Sequence, residues 1–251
     1  MNQTLLIRKT SAIFRNAWLA SVAITIFIGA CDSASTEPEP IPLETQLVED
    51  VPADPVSGRD PTTGQSISNN LFTLYDLDAN QIVLPSSVTD SAQRQADSTG
   101  TVWDIGFRGT MIIFNGGDSG PGEASAQILV QLFDEVVEAP AGGYTTDGEN
   151  TTCPEVQTPI GPVPGSTLAI CTGSGNGWYS YNPDQLLISP IPGRTIVMKT
   201  ATGNYASLRI LGYYQGNPNP PDPNRPSRYY TFEFIVQPDG SRDLRSTTPD
   251  S

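Results

Sequence analysis

The sequence of 251 residues contains no histidine. That absence removes the commonest general base and the commonest neutral metal ligand, which excludes histidine-based nucleophilic catalysis and ordinary zinc ligand sets. Basic residues of any kind are scarce. Thirteen Lys+Arg stand against 27 Asp+Glu, a net charge of −14, and Lys199 is the sole lysine beyond the N-terminal segment. A surface of that sign repels phosphate backbones, so nucleic acid is excluded as a partner. Long hydrophobic runs are missing too. The longest, Ala17 to Ala30, has 14 residues, short of the roughly 20 that a permanent membrane-spanning helix needs.

These absences decide how the stretch "NGGDSGPG" (115–122) is read. It resembles the loop that carries the nucleophilic serine of chymotrypsin-like proteases, with one residue transposed. A serine hydroxyl needs a neighbouring base to take its proton, and neither histidine nor a nearby lysine is there to serve Ser119. The glycines and Pro121 are read as turn residues between strands. No phosphate loop or catalytic carboxylate pair stands out, and "DLDAN" (76–80) lacks the glycine turn and closing glutamate of a calcium loop. The chain is read as a binding protein, not an enzyme.

What is present begins with an export signal. Arg8, Lys9 and Arg15 precede the apolar run, in the order a secretory signal requires. The junction Ile28-Gly29-Ala30-Cys31 resembles the bacterial lipobox, which implies cleavage before Cys31 and acylation of its sulfur. Removing residues 1–30 leaves 10 basic against 27 acidic residues, a net charge of −17. Residues 31–68 hold six prolines, many acids and no aromatic residue. Such a segment buries too little apolar surface to offset its chain entropy and is expected to be a disordered tether. The folded domain is expected over 69–245, with a disordered tail at 246–251.

Within that domain, dense glycine and proline disfavour long helices, and period-2 alternation marks strands. "TVWDIGF" sets Trp103, Ile105 and Phe107 on one face; "YYTFEFIVQ" does the same with Tyr230, Phe232, Phe234 and Val236. "NLFTLYDLD", "RTIVMKT" and "NYASLRILGYY" continue the pattern. The segment "EASAQILVQLFDEVVEAP" fits both periods and is read as a strand from Ala124 to Phe133. The expected fold is all-β, a single sandwich-like antiparallel domain. Cys153 and Cys171 bracket a proline- and glycine-rich stretch, and an even pair in an exported chain reads as a disulfide, stabilising by roughly 3 kcal/mol. "NPNPPDPNRP" (217–226) reads as a stiff exposed connection, a spacer or a recognition surface.

The stretches "TVWDIGFRGTMIIFNGGDSGPGEASAQIL", "PGRTIVMKTATGNYASLRILGYYQG" and "RYYTFEFIVQPDGSRDL", with the segments between them, resemble the HmuY-like family of bacterial lipoproteins over about residues 70–244. The resemblance implies an all-β fold, haem captured at the outer membrane or cell surface, and a TonB-dependent receptor as partner. Haem-binding members of that family grip iron with histidine or methionine. Here the corresponding stretch, roughly Asp118 to Thr172, has neither. The remaining candidates for an iron ligand are Met111 and Met198, meeting across strands, or Tyr144 as a phenolate. Trp178, Tyr179 and Tyr181 are candidates for stacking on a flat ligand or a sugar. Two functions follow: a haem or porphyrin carrier, or a non-haem structural or adaptor lipoprotein that contacts a receptor or polysaccharide.

Overall fold

The computed structural model describes residues 43–158 and 161–245. The expected signal peptide, the expected lipidation site at Cys31, the first part of the expected tether and the expected C-terminal tail lie outside the described residues.

Strand β1 (Gln46–Pro52) is followed by a small hairpin of β2 (Gly58–Arg59) and β3 (Ser66–Ile67), then by β4 (Thr73–Asp76) and β5 (Gln81–Leu84). Helix α1 (Ser91–Ser98) leads to β6 (Ile105–Arg108), β7 (Met111–Phe114) and β8 (Ser125–Val130). Two more small hairpins, β9 (Val156–Thr158) with β10 (Gly161–Val163) and β11 (Tyr179–Asn182) with β12 (Leu187–Pro190), come next. The long strands β13 (Arg194–Lys199), β14 (Tyr205–Tyr214) and β15 (Ser227–Gln237) close the chain. The main strands form a four-stranded sheet, β5-β4-β6-β7, and a five-stranded sheet, β1-β15-β14-β13-β8. Every pairing is antiparallel, so the all-β reading holds.

Alternation builds the core. Ile105, Phe107, Ile112 and Phe114 of one sheet meet Ile196, Met198, Leu208, Tyr230, Phe232 and Phe234 of the other. The rings of Phe107 and Tyr230 lie 4.6 Å apart, and Tyr75 meets Phe232 edge-on at 5.5 Å. The intervening residues face outward. Val197 and Ile235 join Leu43, Phe133, Val136 and Leu244 in a second cluster, while Leu74, Leu84, Trp103 and Ile113 form a third. Trp103 therefore does not share a face with Ile105 and Phe107, as simple alternation proposed. The phase breaks at Asp104, which turns its carboxylate into a junction between the sheets and accepts hydrogen bonds from the amides of Leu77 and Ala201.

The stretch 43–68 corrects the expected tether. β1 pairs with β15 from Gln46↔Phe234 to Pro52↔Tyr229, and Leu43, Val48, Val51 and Ala53 are buried. A proline-rich, acidic segment orders here because the edge of β15 supplies its backbone partners, which local composition does not reveal. The strand expected to run from Ala124 to Phe133 ends at Val130, and Phe133–Glu135 forms a 3₁₀ turn that drops Phe133 into the second cluster. The disulfide between Cys153 and Cys171 is formed. The 217–226 connection joins β14 to β15 and is exposed or half-buried.

Candidate binding cleft

The loop 115–122 is a structural clasp. Asn115 donates from Nδ2 to the carbonyls of Trp103 (2.7 Å) and Gly100 (3.0 Å) and accepts the amide of Gly122 at 3.0 Å. Gly117 sits at φ +58° with the carbonyl oxygen of Asp147 only 2.0 Å from where a Cβ would be. Lys199, the one lysine of the domain, stacks over Tyr144 and Tyr205 at 5.7 and 5.5 Å, so it does not serve Ser119.

The ligand candidates are not brought together. Met198 is fully buried between the sheets, opposite Ala126 and Ala206. Met111 lies on the same face of β7 as Ile113, the outer face of the four-stranded sheet, so the two sulfurs do not face each other. Tyr144 packs on the outer face of the five-stranded sheet beside Tyr205, ring centroids 6.0 Å apart. Burial pushes its hydroxyl up to about 12, which opposes the phenolate that iron ligation needs.

The aromatic trio is not a platform either. Trp178 donates its indole N–H to the Thr110 carbonyl at 2.9 Å, and its ring lies 5.1 Å from those of Tyr179 and Tyr230. Trp178 and Tyr179 are core residues, and of the three only Tyr181 is exposed. The alternation of "GWYSY" is that of a strand edge packing on the core.

Met111 lines a cleft. The space, about 460 Å³, lies on the outer face of the four-stranded sheet, within the range of about 300–1,000 Å³ typical of small-molecule sites. Leu74, Met111 and Ile113 form its floor, with Phe72, Trp103 and Leu168 on its walls. Gly106 keeps the floor flush, since a Cβ there would sit 2.7 Å from Ile113 Cγ1. One wall is α1. Asp90 caps it by accepting the amide of Gln93 at 2.8 Å. Arg94 then clamps it, donating to the carbonyls of Pro85 (3.2 Å), Val88 (3.0 Å) and Phe72 (2.7 Å). Trp103 adds a bond from Nε1 to the Ser98 carbonyl at 3.1 Å.

The opposite wall depends on the crosslinked loop. Asp147 accepts the amides of Phe114 and Ala169, each at 2.8 Å, and Asn150 donates to the carbonyl of Leu168 at 3.0 Å. These bonds hold Leu168 against the cleft. At the mouth, Arg108 and Met111 face each other across the hairpin turn Gly109-Thr110. Arg108 Nη2 lies 3.4 Å from Met111 Sδ, and its guanidinium covers the Phe72 ring at 4.4 Å. Among the described residues Arg108 makes no ion pair. The cleft therefore offers an apolar floor, one soft donor and two guanidinium groups, of which Arg94 is engaged with three carbonyls and Arg108 with none of the described acids.

Phe72, Arg94 and Arg108 did not stand out in the sequence. A signal for Arg108 exists in "FRGTMII", where glycine between two strand runs marks a tight hairpin and sets Arg108 opposite Met111.

The HmuY protein family matches residues 68–234, well over half of the chain. The chain belongs to the HmuY family. β1 lies upstream of the matched region yet completes its five-stranded sheet. Three solved structures are similar. A Bacteroides fragilis protein designated a lipoprotein is 12% identical, covering 76% of this chain and 90% of its own at a TM-score of 0.42. The apo HmuY analogue of Tannerella forsythia is 14% identical over 78% of this chain and 96% of its own, at 0.39. A Bacteroides vulgatus protein designated HmuY-like and haem-binding is 16% identical over 72% of this chain and 96% of its own, also at 0.39. No curated protein is significantly similar.

Proposed function

We propose that this HmuY-family chain is a lipid-anchored, extracytoplasmic binding protein that captures haem or a related porphyrin and passes it to a TonB-dependent outer-membrane receptor. The observation that carries the reading is the cleft itself. A thioether, an apolar floor and a guanidinium with no ion pair among the described residues converge there, and these suit the iron, the flat ring and a propionate of haem in turn. Of the three iron-ligand candidates, Met111 alone opens onto this cleft, so iron would be held by one protein ligand. The anchor rests on the lipobox-like run ending at Cys31 and the receptor on membership of the family.

Titrating haemin into the full chain in detergent tests the capture. A Soret band that sharpens and saturates at one equivalent supports it, whereas a linear, unsaturable rise contradicts it. Loss of lipid labelling in Cys31→Ala tests the anchor separately.

A second reading, a non-haem adaptor contacting a receptor or polysaccharide, is favoured by the dispersal of Met198 and Tyr144 away from Met111. It gains if haemin fails to saturate while the fold is intact.

A further inference from the structure

Resting on the cleft being a tetrapyrrole site, we propose that Arg108 guards Met111, so that only a ligand bearing a carboxylate gains the sulfur. Arg108 and Met111 are a directly opposed cross-strand pair, and the guanidinium donates from Nη2 to Met111 Sδ at 3.4 Å. The same side chain donates from Nη1 to the Asn70 carbonyl at 3.4 Å and stacks on Phe72. Thioether sulfur is a weak acceptor, and the bond to the Asn70 carbonyl is long. A guanidinium with no anionic partner, held by weak contacts, exchanges readily for a carboxylate, its strongest bidentate partner.

Asp118, the acid that lines the same cleft, has its carboxylate lodged against Gly148. A ligand carboxylate would take over the Arg108 guanidinium and leave the Met111 Sδ free to hold iron in place of a solvent molecule, with no change of oxidation state. A metalloporphyrin without carboxylates offers the guanidinium nothing in exchange and must compete with Arg108 for the sulfur. Arg108 is thus a specificity-determining residue, selecting by charge which iron tetrapyrroles reach Met111.

The test compares haemin, iron-free protoporphyrin IX and haemin dimethyl ester on the full chain and on Arg108→Ala, Arg108→Lys and Arg108→Ala/Met111→Leu. In the parent chain haemin should show thioether ligation and the ester should not. Arg108→Ala should weaken haemin and protoporphyrin IX alike by about 10- to 100-fold, the share of a charged hydrogen-bonded pair. It should also create thioether ligation of the ester, which the double variant abolishes. Arg108→Lys should restore part of the haemin affinity, which sets aside a folding defect. Thioether ligation of the ester in the parent chain overturns the guard, as does equal weakening of haemin and ester in Arg108→Ala. If haemin ligates through Met111 with no dependence on Arg108, the guard fails and the haem reading stands. If haemin does not bind at all, both fail.

Discussion

Asp104 accepts the amide of Ala201 at 2.7 Å, joining residues 97 positions apart in the chain. Its second oxygen accepts the amide of Leu77 at 2.8 Å, so one carboxylate ties the β4–β5 turn of one sheet to the β13–β14 turn of the other. Asp76 and Asp78 crowd the same corner, with carboxylate oxygens of all three residues within 4.8 Å of one another.

That corner sets a pH dependence. Burial, reinforced by Asp78 and Asp76, pushes Asp104 from the ordinary 3.8 up to about 6 against the opposing pull of its two amide donors. The folded chain then binds more protons than the unfolded chain between about pH 4 and 6, so stability falls as pH rises through that window. Asp147 is shifted in the same direction, also by burial. Thermal unfolding should occur at higher temperature at pH 5 than at pH 7.5, with about 1 kcal/mol from Asp104 over that interval. Asp104→Asn should be less stable at both pH values and show a smaller difference between them. A parent Tm that is flat or lower at pH 5 contradicts this account.

The N-terminal edge strand makes truncation informative. A chain starting at Asn69 lacks β1 and with it the buried side chains of Leu43, Val48, Val51 and Ala53. At roughly 1.5–3 kcal/mol for each large aliphatic side chain buried, the loss amounts to several kcal/mol. It also bares the edge of β15 to pairing with other chains. The truncated chain should unfold at much lower urea concentration than one starting at residue 40, and should aggregate. Equal urea midpoints would show that β1 contributes nothing to the fold.

Replacing Cys153 and Cys171 with serine should lower stability by about 3 kcal/mol, the value expected for closing a loop of this size. Asp147 bonds the Ala169 amide and Asn150 the Leu168 carbonyl directly, while the sulfurs add only 3.7 Å contacts to Asn150 and Leu168, so the cleft wall should survive. Urea midpoints and hydrogen exchange at Ala169 read the two effects separately.

Tyr144→Phe removes a buried hydroxyl that, among the described residues, has only the Gln127 side chain nearby and no well-formed hydrogen bond. The substitution should be neutral or slightly stabilising in urea unfolding. A loss above about 1 kcal/mol would mean that the hydroxyl contributes a bond to the fold.

The parts of the fold legible in the sequence are those whose residues carry their own pattern. β13, β14 and β15 alternate strongly and are strands; Cys153 and Cys171 pair. The illegible parts depend on partners far along the chain. β1 has sparse apolar residues and is ordered by β15. α1 is a polar helix with no buried residue, held by Arg94 and the indole of Trp103. The cleft was hidden for the same reason: Phe72, Arg94, Met111 and Leu168 are distant in sequence, and the pairing of β4, β6 and β7 assembles their faces. Met198, Trp178 and Tyr179 looked available as ligand contacts, because composition does not distinguish a buried face from an open one.

The most direct measurement is the spectrum of ferric haem bound to the full chain and to three single variants, Met111→Leu, Met198→Leu and Tyr144→Phe. The account predicts thioether ligation in the parent, lost in Met111→Leu and unchanged in the other two. A spectrum that survives Met111→Leu, or that is lost in Met198→Leu or Tyr144→Phe, would contradict the assignment of the cleft as the haem site.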